Sequence, residues 1–218
     1  MNYSALLVAA GKGLRLGLGY NKVFYQLNEN ETVLDRSIAI FKADKNCREI
    51  VVVVAAEELA ACHKKYDKDN IILVAGGATR AQSSLNGLKA VSLAKVLIHD
   101  AARPYLSADC LQRIVKAAET YPVVIPAVKI KDTIKTAQDD WVKQTLEREE
   151  LIAVQTPQAF DTWLIKDCHE KAQAANYSST DDSQVIEAFS EVAIRVVEGD
   201  YRNNKITTIE DLPPEQLD

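Results

Sequence analysis

The sequence lacks the residue patterns that mark several large classes of protein. Its 218 residues include four cysteines, no two of them in C-x-x-C spacing, and three histidines that do not cluster. We therefore expect no disulfide framework, and thiols that stay reduced in the cytoplasm. No apolar run is long enough to span a membrane. Because an apolar strand pattern begins by residue 4, we also expect no secretory signal.

An excess of positive charge is absent too. The chain carries 26 Lys and Arg against 31 Asp and Glu, a formal net charge of −5. A general nucleic-acid binder would be basic, so we expect no nucleic-acid partner, and any polyanionic ligand must meet cations that are gathered locally. There is no low-complexity tract and no internal repeat. Length and composition fit a soluble globule of one large α/β domain or two small ones, and we expect a single domain over residues 1–218.

The first motif is a glycine-rich, cationic segment that follows a buried strand. Residues 5–10 form an apolar run short enough for a strand buried on both faces. Gly11, Gly13, Arg15 and Lys22 follow it. Glycine lets backbone amides approach a ligand closely, and successive amides can form an anion-binding concavity. The segment predicts a phosphate-binding loop, with an ordinary surface turn as the alternative.

Two familiar phosphate motifs do not fit this segment. The dinucleotide fingerprint G-x-G-x-x-G needs glycine at 16, where Leu16 stands. A Walker A loop would end in Gly-Lys-Ser or Gly-Lys-Thr, and the segment has neither.

Strand and helix patterns alternate through residue 127. Buried strands are predicted at residues 49–55, 71–75, 95–100 and 123–127, and helices after Thr32, at 56–66, after Thr79 and at 107–120. This alternation predicts a mostly parallel sheet with helices on both faces. Ligands of such sheets bind at the carboxyl ends of the strands. The glycine-rich segment, Gly76-Gly77 and residues 100–103 should therefore meet at one edge.

The pattern changes after residue 127. Residues 131–137 and 141–148 predict two polar strands around a turn at Asp139-Asp140. An isolated hairpin is marginal in water, so this one should lie on a second subunit or on its own domain. Further on, the sequence predicts a return to the sheet at 152–160, a helix at 161–175, a helix capped by Ser179 or Thr180, a strand at 191–198 and a short strand at 205–208.

Seven segments together resemble one family. They are residues 9–15 with Lys22, Gly76-Gly77 with Arg80 and Ser83, H-D-A-A-R-P at 99–104, K-D-T-I-K at 131–135, Q-T-P-Q at 155–158, T-D-D at 180–182 and N-K-I-T at 204–207. Over residues 4–212 the sequence is similar to the 2-C-methyl-D-erythritol 4-phosphate cytidylyltransferases of the non-mevalonate isoprenoid pathway. Many sugar nucleotidyltransferases share A-A-G-x-G-x-R, whereas the ordered set is much more specific.

The resemblance implies a fold, a reaction and an assembly. The fold would be a Rossmann-like nucleotidyltransferase fold of the α/β class, with an extended β-hairpin arm at about 129–149 that forms a homodimer. The 4-phosphate of methylerythritol would attack the α-phosphorus of CTP and release pyrophosphate, with Mg²⁺ or another divalent cation as cofactor. No acid-base dyad is needed because the attacking phosphate is already ionised near neutral pH.

The resemblance also implies roles for individual residues. Arg15 and Lys22 would be the catalytic cations on the triphosphate. CTP would be bound by Ala9, Ala10, Gly11, Gly13, Gly77, Ala78, Ser83, Asp100 and Ala101. The acceptor phosphate would be bound by Asp100, Arg103, Thr133, Arg148, Thr180 and Lys205. Asp100 would lie beside the metal, and Thr133 and Arg148 would serve the neighbouring subunit.

The sequence departs from the family pattern at three positions, one of them conservative: the family's N-I-K is Asn203-Asn204-Lys205 here. Ala78 stands where the family usually has an acid, which puts a ribose hydroxyl contact in question. Asn21 stands where the family usually has proline, so we expect a less rigid loop. His99 and the cysteines are expected to be packing residues.

Three other functions are open at this stage. A cytidylyltransferase for another polyol phosphate, such as ribitol 5-phosphate, would share the nucleotide loop and much of the arm. An NAD-dependent oxidoreductase could use the same sheet, although Leu16 and the lack of an acid after the second strand argue against it. A non-catalytic nucleotide sensor is disfavoured by the presence of both Arg15 and Lys22.

Overall fold

The computed structural model describes residues 1–11, 19–66 and 68–212. The helices are α1 (Val33–Lys42), α2 (Leu59–Tyr66), α3 (Arg80–Ala90), α4 (Ala108–Ala118), α5 (Thr162–Ala174) and α6 (Asp182–Phe189). The strands are β1 (Tyr3–Val8), β2 (Gln26–Asn28), β3 (Glu31–Thr32), β4 (Cys47–Val54), β5 (Ile72–Ala75), β6 (Lys95–Asp100), β7 (Val123–Lys129), β8 (Lys135–Gln138), β9 (Trp141–Thr145), β10 (Ile152–Val154), β11 (Gln158–Asp161) and β12 (Arg195–Glu198). Short 3-10 helices occupy Lys22–Phe24, Ala56–Glu58, Arg148–Glu150 and Ile209–Asp211.

The strands predicted from apolar runs belong to one sheet, with β5 at its edge, and all run in the same direction. β1 pairs in parallel with β4 and β6, and β4 pairs in parallel with β5. β11 is antiparallel to both β6 and β7, so β6 and β7 also run in one direction. The prediction of a mostly parallel α/β sheet is confirmed.

Helices cover both faces of this sheet because successive strand side chains point to opposite sides. Leu7 and Val52 belong to the core on one face, with side chains from α1, α2 and α4. Leu6 and Val51 belong to the core on the other face, with side chains from α3, α5 and α6. The β-branched run of β4 can therefore be buried throughout, which is typical of parallel strands. None of the described helices is both long and apolar enough to cross a membrane.

β10 and β11 lie along the same edge of β7, interrupted by a bulge. Val124 of β7 pairs with both β11 and β12, and Ala127 pairs with both β10 and β12. Since a strand has two edges, β10 and β11 share the one that β12 does not use. Val154 pairs with Ala127, and Ala159 pairs with Val124. Between these two pairs β7 has two residues, 125–126, whereas the partner segment has four, 155–158. Such bulges re-aim side chains, here toward the end of β6.

The predicted hairpin is confirmed as a separate two-stranded sheet. β8 and β9 pair in antiparallel register, and Asp139 and Asp140 between them have φ angles of 50° and 64°. Positive φ at both central residues is what a tight hairpin turn requires. Trp141 is 79% exposed and Val142 is 62% exposed, so the described part of the chain leaves these side chains uncovered.

Three local predictions are wrong. Residues 205–208 are not a strand, because the amides of Thr207 and Thr208 donate to the Asp211 carboxylate instead of to a neighbouring strand. The strand predicted at 191–198 begins only at Arg195. The cap of α6 is Asp181, whose carboxylate accepts the Gln184 amide at 2.8 Å; Ser179 and Thr180 lie before it.

Candidate active site

The chain segments after β1, β5 and β6 meet at the carboxyl edge of the sheet; residues 12–18 of the glycine-rich segment after β1 lie outside the described residues. The amide of Ala9 donates to Val53 O, and the amide of Gly76 donates to Val54 O, both at 2.8 Å. These bonds hold the loops after β1 and β5 against the end of β4. The loops approach so closely that a Cβ at Gly76 would lie 2.4 Å from Cβ of Ala10. Small residues are therefore a steric requirement at this edge.

The loops enclose a cavity of about 580 Å³. Its charged described residues are three cations and one carboxylate: Lys22, Arg80, Lys205 and Asp100. The remainder are mostly small or neutral: Val8, Ala9, Ala10, Gly11, Asn21, Val23, Gly77, Ala78, Thr79, Ser83 and Ala102. A net-acidic chain thus lines one cavity with an excess of positive charge, which suits a polyanionic ligand.

Lys22 is placed by the residue before it. Asn21 is buried, and its Nδ2 donates to Ala9 O at 2.7 Å and to Glu58 Oε2 at 3.1 Å. Its Oδ1 accepts the Val23 amide at 3.3 Å and so caps the 3-10 helix that begins at Lys22. Hydrogen bonds tie this turn to the end of β1 at the position where the family usually has proline.

The loop after β5 is closed by side chains of α3. Ser83 Oγ accepts the Gly77 amide at 3.0 Å and donates to Thr79 O at 2.9 Å. Gln82 Oε1 accepts the Ala78 amide at 3.0 Å. Ala78 itself has no polar side-chain atom, so a contact that the family makes with an acid here has to come from another residue or be lost.

Asp100, at the end of β6, gathers cations at the rim. Arg80 Nη2 lies 3.1 Å from its Oδ1, and Lys205 Nζ lies 2.7 Å from its Oδ2. Arg103 Nε is 4.0 Å from the same Oδ2. Burial alone would raise the pKa of the Asp100 carboxyl, but Arg80, Lys205 and Arg103 together hold that pKa well below its usual range. Asp100 is therefore ionised and lies within ion-pair distance of three positive side chains.

His99 orients the backbone around Asp100. Its Nε2 is 3.1 Å from the carbonyl oxygen of Arg103, which can only accept, so Nε2 carries the proton. Nδ1 then accepts from Thr156 Oγ1, which in turn accepts the Asp100 amide at 3.0 Å. Burial lowers the pKa of His99 to about 4, which keeps the ring neutral. His99 does pack edge-on against Phe41, but it also has this polar role, which its sequence context did not indicate.

Asp182 is a second buried carboxylate of the cluster that sequence reasoning missed. Its side chain is 0% exposed, and Oδ2 lies 2.8 Å from Arg80 Nη2. Oδ1 lies 3.0 Å from His169 Nε2. Burial would raise the pKa of Asp182, but Arg80 and His169 hold it well below its usual range. The T-D-D segment put two acids at the start of a helix, but helical spacing alone did not show which one points inward.

The remaining candidate residues fall into three groups. Gly13 and Arg15 lie outside the described residues. Ala101 and Arg103 lie just behind the rim: Ala101 donates its amide to Val8 O, and Arg103 Nη1 donates to Asn203 O at 2.7 Å. The others are exposed and are not among the described lining residues of the cavity; they are Thr133 and Arg148 on the arm, and Thr180 just before α6.

The described residues contain no group of three or more His, Cys, Asp or Glu that could enclose a metal ion. This does not count against Mg²⁺, which is commonly held by one or two carboxylates together with substrate phosphates. Asp100 offers an ionised carboxylate of that kind, at the rim of a cavity suited to phosphates. The donor set therefore fits magnesium that arrives with a nucleotide.

A Rossmann-like sheet with a small-residue, cationic cavity at its carboxyl edge is the arrangement of a nucleotidyltransferase. The family model for 2-C-methyl-D-erythritol 4-phosphate cytidylyltransferase matches residues 3–216 of the chain. The chain belongs to this family.

Relatives and solved structures agree with this assignment. A protein named 2-C-methyl-D-erythritol 4-phosphate cytidylyltransferase from Geobacillus kaustophilus is 43% identical over 217 residues, which cover 97% of this chain and 94% of the relative. The structure of 4-diphosphocytidyl-2C-methyl-D-erythritol synthase from Anaerococcus prevotii matches with a TM-score of 0.84 and 36% identity, covering 97% and 92% of the two chains. The Thermus thermophilus cytidylyltransferase structure matches with a TM-score of 0.80 and 30% identity, covering 97% and 96%.

Proposed function

We propose that the protein transfers the cytidylyl group of CTP to 2-C-methyl-D-erythritol 4-phosphate. The reaction releases pyrophosphate and forms 4-diphosphocytidyl-2-C-methyl-D-erythritol, a step of non-mevalonate isoprenoid biosynthesis. Family membership supports the substrates. The observation that carries the proposal is the cavity in which a chain of net charge −5 collects Lys22, Arg80 and Lys205 around small residues.

The physical task is to bring two anions together. A phosphate oxygen of the acceptor attacks the α-phosphorus of CTP, the bond to the bridging oxygen breaks, and that oxygen leaves with pyrophosphate. Positioning and fixed positive charge supply most of the catalysis in phosphoryl-group chemistry. The attacking oxygen carries no proton near neutral pH, so no general base is required.

The proposed roles follow from family membership, and the lining of the cavity supports those of Lys22, Asp100 and Lys205. Lys22, next to the end of β1, stabilises charge on the triphosphate together with Arg15. Ala9, Ala10, Gly11 and Gly13, with Gly77, Ala78, Ser83 and Ala101, leave room for the nucleotide and offer backbone groups to it. Arg103 and Lys205 would take the acceptor phosphate, and Asp100 would reach it through the metal, with Thr133, Arg148 and Thr180 completing that site.

Magnesium would be held by Asp100 and by phosphate oxygens, and would neutralise charge on the triphosphate when bound. Lys205 now binds Oδ2 of Asp100 at 2.7 Å, and its release would free that oxygen for the metal. An incoming acceptor phosphate offers Lys205 an alternative anionic partner. This change of partner by Lys205 would both free the Asp100 carboxylate and bind the substrate.

The arm at about 129–149 is proposed to form a homodimer. Its exposed Trp141 and Val142 supply apolar surface for a second copy of the chain, and an isolated hairpin would otherwise be marginal. Each arm then places Thr133 and Arg148 in the site of the other subunit. The four free cysteines support the proposed cytoplasmic location, where thiols stay reduced.

Incubation with CTP, Mg²⁺ and a single polyol phosphate tests the function. We expect pyrophosphate release with 2-C-methyl-D-erythritol 4-phosphate and formation of the cytidine diphosphate product, measured by chromatography. Turnover of ribitol 5-phosphate with none of methylerythritol phosphate would overturn the acceptor assignment. Hydrolysis or binding of CTP without transfer to either acceptor would overturn the reaction class.

A further inference from the structure

Arg80 separates two open spaces. It lines the nucleotide cavity of about 580 Å³ and also a second cavity of about 380 Å³, whose other lining residues include Leu85 and Ala172. A long side chain with space on both sides has many conformations available, and holding it in one of them costs entropy. Arg80 therefore needs a fixed partner on each side if its guanidinium is to stay at the rim of the nucleotide cavity.

The two partners are carboxylates, which the guanidinium bridges. Arg80 Nη2 lies 3.1 Å from Asp100 Oδ1 and 2.8 Å from Asp182 Oδ2, and Arg80 Nε also donates to Asp100 Oδ1 at 3.3 Å. Arg80 hydrogen-bonds Asp100, whereas its contact with Asp182 is an ion pair, since Asp182 Oδ2 accepts no hydrogen bond within the described part of the chain. Asp100 is the front partner, on the substrate side. Asp182 is the rear partner.

The rear partner is rigid. Asp182 is 0% exposed and is the first residue of α6, behind the Asp181 cap. His169 of α5 is 2% exposed, and its Nε2 lies 3.0 Å from Asp182 Oδ1. Because Asp182 is ionised, Nε2 must be the protonated nitrogen that donates this bond. Two packed helices thus fix the carboxylate that holds Arg80.

We propose that Asp182 is a positioning residue that anchors Arg80, and that His169 acts through Asp182. This inference rests on the proposed function, because its purpose is to keep Asp100 in place during transfer. If Lys205 moves from Asp100 to the acceptor phosphate, Arg80 still holds Oδ1 of the carboxylate and so keeps its Oδ2 oriented for the metal. The anchor prevents Arg80 from falling back into the second cavity at that moment.

A double-mutant cycle tests the proposal. Asp182→Asn should lower kcat/KM by about 10- to 100-fold, since a shift of about 1 Å in a positioned group can cost that much. Arg80→Ala should cause a loss of similar size. If Asp182 acts through Arg80, adding Asp182→Asn to Arg80→Ala should change kcat/KM little further, whereas an independent structural role would multiply the two losses.

Variants of His169 test the anchoring role of Asp182 independently, in case the Asp182→Asn protein does not fold. His169→Leu removes the donor and should lower kcat/KM, again only when Arg80 is present. His169→Gln keeps an N–H donor and should recover part of the loss. Circular dichroism melting shows that each variant is folded at the assay temperature.

Asp161→Asn is the matched control, because Asp161 is also an ion-paired aspartate beside a helix start, with Lys95 Nζ at 2.6 Å. It should leave kcat/KM unchanged. Wild-type kinetics in Asp182→Asn, or equal losses with and without Arg80, would overturn the anchor while an active wild-type enzyme leaves the proposed function intact. An inactive wild-type enzyme would instead overturn the proposed function.

Discussion

At the scale of single residues, the Asp100 carboxylate is the counter-ion of three cations, and a substrate phosphate can take over part of that role. Arg80, Arg103 and Lys205 share the Asp100 carboxylate, so the substrate-free cavity already neutralises part of their mutual repulsion. A phosphate of the substrate can replace that carboxylate as the partner of Lys205. Lysine suits such an exchange because its ammonium is a point charge on a flexible stem. The cations are therefore positioned before the substrate arrives and are still able to bind it.

Lys22→Ala should lower kcat at least about 100-fold, as loss of a group that stabilises developing charge does at other sites. Arg15→Ala should have an effect of the same order. Steady-state release of pyrophosphate measures both. Lys64→Ala, at an exposed lysine of α2, is the matched control and should behave as wild type. Near-normal turnover in the Lys22 and Arg15 variants would contradict the role given to these side chains.

At the scale of elements, the bulge between β10 and β11 brings distant residues to the end of β6. It delivers Thr156 Oγ1 to the Asp100 amide and to His99 Nδ1. Gln155 on the same bulge exchanges two hydrogen bonds with Asp200, in the loop that leads to Lys205. One irregular segment thus connects Asp100 with the loop that leads to Lys205. Bulges next to active sites commonly serve to re-aim side chains in this way.

Thr156→Val keeps the shape of the side chain but removes its hydroxyl. The buried Asp100 amide and His99 Nδ1 would each lose a partner, so we expect a loss of about 1–3 kcal/mol in the free energy of unfolding. We also expect kcat/KM to fall, because Asp100 is no longer held. Urea unfolding and steady-state kinetics measure the two effects.

Thr162→Val serves as the control for this change. Thr162 is buried and donates to Leu93 O at 2.7 Å, and it does not line the nucleotide cavity. This variant should lose stability and keep its kcat/KM. Equal effects of the two variants on kcat/KM would show that Thr156 matters only for stability.

The sequence predicted the regular elements well because their signal is local. The apolar runs of β1, β4 and β6 can only be buried on both faces, and that determines where the strands end and the ligands bind. The contacts of Asp182 and Thr156 could not be predicted in the same way. Each depends on which of several polar residues points inward, and that is decided by packing between segments far apart in the chain. The prediction of a strand at 205–208 was wrong for the same reason.

At the scale of the whole molecule, the proposed dimer would divide the acceptor site between the core of one subunit and the arm of the other. Asp100 and Lys205 line the cavity, whereas Thr133 and Arg148 are exposed on the arm. Arg148 has one hydrogen bond to Lys131 O and a long ion pair with its neighbour Glu149, so it is available to a phosphate from another subunit. Arginine suits that task because its fork can bind a phosphate through two hydrogen bonds. Activity and assembly should therefore be coupled.

Mixing two inactive variants tests this coupling. In a heterodimer of Lys22→Ala and Arg148→Ala subunits, one site would have an intact Lys22 and the partner's intact Arg148. Random exchange in a two-fold dimer should then restore activity to about a quarter of the wild-type value. A mixture of Thr133→Ala and Arg148→Ala subunits should recover nothing, because each site would still receive a defective arm. Native mass spectrometry shows whether heterodimers form. If they form and the first mixture stays inactive, each arm serves its own subunit.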